Sequence, residues 1–334
     1  MTMIARLFIP AIAMAISISG CTDAGDSSPY EELLSRQPYA SLTDSIHKTP
    51  SDPGLYYRRG LLLLTNNNQP PALDDFRKAW SMDKKEAYAI GISTILVSKK
   101  PDSAIVFLQD ALKFIPNSIP LQLNLAQSYA SQQKTDEALN VCNHIIQQQP
   151  NQLDALEMKA NLLEAKNDTT GSIKTLEQAY RFAFFDEEFC YNLAFKYAQS
   201  KNPKALTLCD SLLHAGTINN KAEPFYFKGV YYANINDLTR AIDFFNKAIQ
   251  HDYTFLDAYM DKGKILYEQK KYNEALKVYQ LVLSVSSTYA DGYYWLGKCQ
   301  EALGQKEEAR LNYQRAYGLD KSLVEAKEAA DRLK

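Results

Sequence analysis

Three columns of this 334-residue sequence recur at one interval. Gly229, Gly263 and Gly297 lie 34 residues apart, as do Ala241, Ala275 and Ala309, and as do Phe245, Tyr279 and Tyr313. Intervals of about 20 to 50 residues belong to stacked repeats, because one such unit cannot bury its apolar face alone and must share a core with its neighbours. Within the unit the order is aromatic, Lys or Leu, Gly, a turn, then Ala-x-x-x-aromatic: Tyr259, Lys262, Gly263, Ala275, Tyr279, and again Tyr293, Leu296, Gly297, Ala309, Tyr313. This order predicts two antiparallel helices. The small residues let the helices approach closely, while rings such as Phe225 and Phe245 fill the space beside them.

The same register extends backwards with less fidelity. Ala160, Leu163, Leu176 and Ala179 mark a unit at 153–186; Ala126, Tyr129, Ala138 and Pro150 mark one at 119–152; Gly60, Ala72, Phe76 and Ala79 mark the first at 53–86. Two units depart from the period. The unit at 87–118 has a shortened turn around Lys99-Lys100-Pro101, and the unit at 187–221 loses a residue near Asn202-Pro203 and gains a loop from Ala215 to Asn220. With units at 222–255, 256–289 and 290–323, eight fill residues 53–323. The pattern resembles the tetratricopeptide-repeat (TPR) family over most of the chain. The resemblance implies an all-α fold, a right-handed TPR solenoid of about eight helix-turn-helix repeats. Capping helices are expected at 30–50, where Leu33, Leu34, Leu42 and Ile46 are spaced along one face, and at 324–334.

Residues 1–20 are set apart from the fold: Arg6 precedes an apolar run from Leu7 to Ile18, too short to span a bilayer and fitting an export signal. The run ends in Ile18-Ser19-Gly20-Cys21, which resembles the lipobox of bacterial lipoproteins. That resemblance implies lipidation of Cys21 and anchoring in the cell envelope by several acyl chains, each buried methylene adding about 0.8 kcal/mol. Thr22, where an Asp would retain such proteins at the inner membrane, points to the outer membrane, and residues 21–29 form a flexible tether.

The chemistry-bearing motifs are absent. There is no Gly-rich phosphate loop, no His-Glu-x-x-His, no Gly-x-Ser-x-Gly and no Cys-x-x-Cys, so neither an enzyme nor a bound cofactor or metal is expected. His47, His144, His214 and His251 stand singly, without ligand spacing. Against 37 Lys and Arg stand 39 Asp and Glu, a net charge of −2 that offers no surplus for a nucleic-acid backbone. Cys142, Cys190, Cys209 and Cys299 are either buried fillers or, for Cys190 with Cys209 on the two helices of one unit, a disulfide pair.

In the TPR family the first helix of each unit lines a concave groove through its second, fifth, ninth and twelfth positions. Here the resemblance places Tyr57, Leu123, Gln127, Glu157, Asn161, Tyr191, Phe195, Tyr226, Lys264, Tyr267, Tyr294 and Lys298 in that groove. Tyrosine suits an extended peptide, but it also fills core columns (Tyr129, Tyr197, Tyr232, Tyr259, Tyr293), so each groove tyrosine is either a ligand contact or a brace against the next unit. The Lys and Asn clamp by which some relatives grip a terminal carboxylate is not reproduced, since Glu157, Tyr226 and Met260 stand in its columns. Asp154, Glu157 and Glu164 instead favour a basic ligand segment. The expected function is a non-enzymatic scaffold that binds an envelope protein or peptide; the alternative is a receptor for a small glycan, lipid or cell-wall fragment.

Overall fold

The computed structural model describes residues 29–184, 186–214 and 221–334. Cys21, with the signal segment and most of the tether, lies outside the described residues, as does the loop at 215–220. Among the described residues the structure is entirely helical, and no helix is long and apolar enough to cross a membrane.

The chain divides into two compact units after Lys99. The first holds α1 (Glu31–Leu34), α2 (Ala40–Lys48), α3 (Pro53–Thr65), α4 (Gln69–Met82) and α5 (Glu86–Lys99). The second begins with α6 (Pro101–Phe114), followed by α7 (Ile119–Ser131), α8 (Thr135–Gln148), α9 (Leu153–Ala165), α10 (Thr169–Tyr180), α11 (Glu187–Gln199) and α12 (Lys204–His214). It continues through α13 (Ala222–Asn234), α14 (Leu238–His251), α15 (Leu256–Glu268), α16 (Tyr272–Val285), α17 (Ala290–Ala302), α18 (Lys306–Leu319) and α19 (Val324–Arg332). From α7 onward each first helix packs on the second helix of its own repeat and on that of the repeat before.

Seven of the turns between paired helices share one backbone device. Asn67, Gln133, Asn167, Lys201, Asn236, Lys270 and Gly304 all sit at positive φ, between 58° and 80°. The residue after each donates its amide to the carbonyl five residues back, for example Asn68 to Leu63 at 2.8 Å, Asp237 to Tyr232 at 2.8 Å and Gln305 to Gln300 at 2.9 Å. This is the Schellman closure, which satisfies carbonyls left open at a helix end and reverses the chain in about three residues. Only one of the seven positions is glycine, so glycine spacing does not reveal the device. The turn at 99–101 lacks it: Lys100 has φ −145° and Pro101 opens α6 directly, in the unit that the sequence shows as two residues short.

Small first-helix residues receive the rings of second-helix residues. A Cβ added at Gly229 would lie 2.5 Å from the Phe245 ring, at Gly263 2.5 Å from Tyr279, and at Gly297 2.9 Å from Tyr313. In the first unit Phe76 is wedged between Gly60 and Gly91, whose Cβ positions would lie 2.7 and 2.8 Å away. That unit also holds a buried ion pair. Arg59 donates twice to Asp75 at 2.8 Å and once at 3.0 Å to the Thr43 hydroxyl, which in turn donates at 2.8 Å to the Leu34 carbonyl and so ties the N-terminal helices to α3. Burial raises the Asp75 carboxyl above its ordinary value, partly offset by the guanidinium beside it.

Candidate functional site on the first-helix face

Two cavities of the second unit open on the first helices, and Gln127, Glu157 and Asn161 line one while Tyr267, Tyr294 and Lys298 line the other. The first, of about 690 Å³, lies among α7, α8 and α9 and is lined by Gln127, Thr135, Asp154, Glu157, Met158 and Asn161, with Ala130, Leu162 and Ala165. Gln127 and Asn161 occupy the same position one repeat apart, so the 34-residue register sets both amides on one face. Gln127, Glu157 and Asn161 make no side-chain hydrogen bond or ion pair among the described residues, and no cation lines the cavity. Burial, and then repulsion from Glu188, Asp154 and Asp186, raises the Glu157 carboxyl above the ordinary glutamate value. Glu164 is already engaged, 2.9 Å from Lys196.

The second cavity, of about 530 Å³, is lined by Tyr267 of α15, Tyr294, Lys298 and Glu301 of α17, Tyr313 of α18 and Arg332 of α19. Glu325 and Glu328 of α19 line it too, and its two cations are engaged within the chain. The Lys298 ammonium lies 4.3 Å from the Trp295 ring centroid, 5.2 Å from Tyr267 and 5.7 Å from Tyr294. Glu301 accepts from Arg332 at 2.7 and 2.9 Å and from the Tyr313 hydroxyl at 2.8 Å. One repeat back, Lys264 lines a smaller cavity of about 230 Å³ and pairs with Asp261 at 3.1 Å.

Family comparisons agree with the helical repeat fold. The models described as tetratricopeptide repeat match residues 97–162, 222–252 and 290–323, and one described as TPR repeat matches 263–304. Over these segments the chain carries tetratricopeptide repeats. It is 23% identical over 299 residues to the human DnaJ homolog subfamily C member 7, an alignment that takes in 81% of this chain but spans only 60% of that relative's length. Among solved structures it resembles a tetratricopeptide repeat protein from Parabacteroides merdae, with a TM-score of 0.50 at 15% identity over 84% of this chain and 98% of the other. It resembles PilW, described as a widely conserved type IV pilus biogenesis factor, with the same TM-score at 15% identity over 64% and 96%.

The remaining predicted groove residues serve the packing of the tetratricopeptide repeats. Tyr57 is half-buried against Phe76 and Tyr88, with ring centroids at 5.8 and 5.1 Å, and Leu123 is half-buried on α7 away from the lining of either cavity. Tyr191 meets Phe227 edge-on at 6.0 Å, and Phe195 lies 5.4 Å from Phe227 and 6.4 Å from Tyr226. Tyr226 stands within four other rings, Phe195, Phe227, Phe245 and Phe255, and its hydroxyl donates to Asp261 of the next repeat at 2.9 Å. Of the two roles open to a groove tyrosine, Tyr226 takes the brace: repeat six supplies so many rings that its side chain is enclosed by them. The column approach missed Trp295, Glu301, Tyr313 and Arg332. Glu301 was within its reach at the twelfth position of α17, as were Glu325, Glu328 and Arg332 at the second, fifth and ninth positions of α19.

Cys142, Cys190, Cys209 and Cys299 are buried free thiols, so Cys190 and Cys209 are fillers in this structure and not a disulfide pair. Burial raises the Cys142 and Cys190 thiols to about 11 and those of Cys209 and Cys299 to about 12, leaving them protonated and unreactive at neutral pH.

Proposed function

We propose that this chain is a non-enzymatic scaffold that holds a polypeptide partner against the first helices of its tetratricopeptide repeats, tethered at the bacterial cell envelope by lipid on Cys21, in the outer membrane. The observation that carries the binding role is the set of unpaired side chains, Gln127, Glu157 and Asn161, around a cavity of about 690 Å³ on two consecutive first helices. Polar side chains held by rigid helices without partners of their own are suited to satisfy the donors and acceptors of a guest. The tethering role rests on Ile18-Ser19-Gly20-Cys21. Fixing the scaffold to a surface raises the effective concentration of its partner for later encounters.

A photoreactive residue at Asn161, irradiated in native membranes, is expected to capture one enriched envelope polypeptide; absence of any protein adduct while control sites crosslink would refute the scaffold. Cys21→Ser is expected to abolish palmitate incorporation and release the protein from the membrane fraction. A second reading, a receptor for a small glycan, lipid or cell-wall fragment, is favoured by the cluster of Tyr267, Tyr294 and Trp295, whose centroids lie 5.7 and 6.0 Å apart at the second cavity. Stabilisation by muropeptides or oligosaccharides in a thermal-shift series would support it.

A further inference from the structure

Acidic residues recur at the second position of six consecutive first helices: Asp154 of α9, Glu188 of α11, Glu223 of α13, Asp257 of α15, Asp291 of α17 and Glu325 of α19. A carboxylate in the first turn stabilises any helix through its dipole, so this column by itself implies no ligand. Glu157 is different. It sits one turn further in, where the dipole effect has faded, half-buried and without a hydrogen bond or ion pair to offset its desolvation. Gln127 and Asn161 flank it without partners, Asp154 lines the same cavity, and no Lys, Arg or His does. The volume, about 690 Å³, is of the size that takes a peptide segment or small organic guest. Among the described residues no group of three or more His, Cys, Asp or Glu side chains is placed to hold a metal ion.

Resting on the scaffold reading, we propose that this cavity receives the ammonium or guanidinium of a lysine or arginine in an extended basic segment of the partner polypeptide. Glu157 and Asp154 accept from the cation in charge-assisted hydrogen bonds, and the Gln127 and Asn161 amides take up its remaining donors or those of the adjoining peptide. The arriving cation supplies what the folded chain withholds from Glu157. The second cavity differs in that the chain's own cations, Lys298 and Arg332, line it beside Glu301, Glu325 and Glu328, with Arg332 held by Glu301.

The test uses the full chain and two fluorescein-labelled octapeptides on one Ala/Ser backbone, one with lysine at alternate positions and one with acetyl-lysine there. The lysine peptide is expected to bind at least tenfold more tightly, Glu157→Gln to raise its Kd by about tenfold, and Glu308→Gln, an exposed substitution on α18, to leave it unchanged. Equal binding of the two peptides, or an unchanged Kd in Glu157→Gln, would overturn the proposal. A benzoylphenylalanine at Ala165, an exposed residue of the cavity wall, separates this inference from the reading beneath it. Capture of a polypeptide through a segment rich in Lys or Arg supports both. Capture through an acidic or uncharged segment overturns the cation site and leaves the scaffold standing, whereas capture of no polypeptide overturns the scaffold and the cation site with it.

Discussion

In α7 to α12 the small column of the first helix is alanine, and Ala126, Ala160 and Ala194 share core clusters with Cys142, Leu176 and Cys209. In α13 to α18 the same columns hold Gly229, Gly263 and Gly297 against Phe245, Tyr279 and Tyr313. Each methyl group absent from the first helix leaves space that a ring on the second occupies. The two regions also differ on the first-helix face. The middle repeats leave Gln127, Glu157 and Asn161 unpaired, while the C-terminal repeats commit Lys264, Lys298 and Arg332 to partners within the chain. One register thus produces an end whose cations are engaged within the chain and a middle cavity that no cation of the chain lines.

The largest expected effect tests the packing half of this contrast. Gly263→Leu should destabilise by about 1–3 kcal/mol, because even a Cβ would meet the fully buried Tyr279 ring at 2.5 Å. Ala194→Gly in the middle repeats should cost no more than about 1 kcal/mol of helix propensity. Comparable losses of melting temperature in the two variants would show that the columns do not trade volume.

Glu301→Ala should cost about 1–2 kcal/mol, mostly from the buried Tyr313 hydroxyl left without its acceptor, since Arg332 is exposed enough that its ion pair contributes little. Faster amide exchange confined to α19 would mark the lost tie between Glu301 and that helix.

Tyr279→Phe should stabilise by up to about 1 kcal/mol, because the Tyr279 hydroxyl is buried with no hydrogen-bond partner and Phe245 fills the same column one repeat earlier. A loss in chemical denaturation comparable to that of Tyr313→Phe would contradict it.

The smallest effect concerns Glu157, whose charged form is opposed by burial and by Glu188, Asp154 and Asp186. A carboxyl raised by folding withdraws stability at neutral pH and returns it as pH falls through the raised value toward the ordinary one. Glu157→Gln should therefore gain a few tenths of a kcal/mol at pH 7 and lose that acid-side recovery, in a pH series of melting temperatures. Binding of the lysine octapeptide should run the opposite way, weakening on acidification from a higher pH than an ordinary glutamate would set.

The recurring Gly, Ala and aromatic columns made the helix pairs legible because close helix contact admits few residue types. The closing turns were less legible: an asparagine or lysine at positive φ is locally unremarkable, and only the 34-residue spacing of Asn167, Lys201 and Lys270 with their neighbours exposes the pattern once φ is known. In the candidate site, Gln127, Glu157 and Asn161, like Tyr267, Tyr294 and Lys298, were reached by position alone. Tyr226 and Tyr191 share a column with Tyr294, yet of the three only Tyr294 lines either of the two cavities, because the rings around Tyr226 come from Phe195, Phe227, Phe245 and Phe255 at other positions of two repeats.

The sequence by itself determined the period, the helical pairing and the face on which binding groups stand, since these follow from local spacing and side-chain size. Which of those groups are free was decided by tertiary structure alone. Whether a carboxylate meets a cation depends on residues far away in the chain, as Arg332 is from Glu301 and Lys196 from Glu164, and Glu157 has no such counterpart among the described residues. Pairing is a property of distance in space, and only the folded chain fixes that distance.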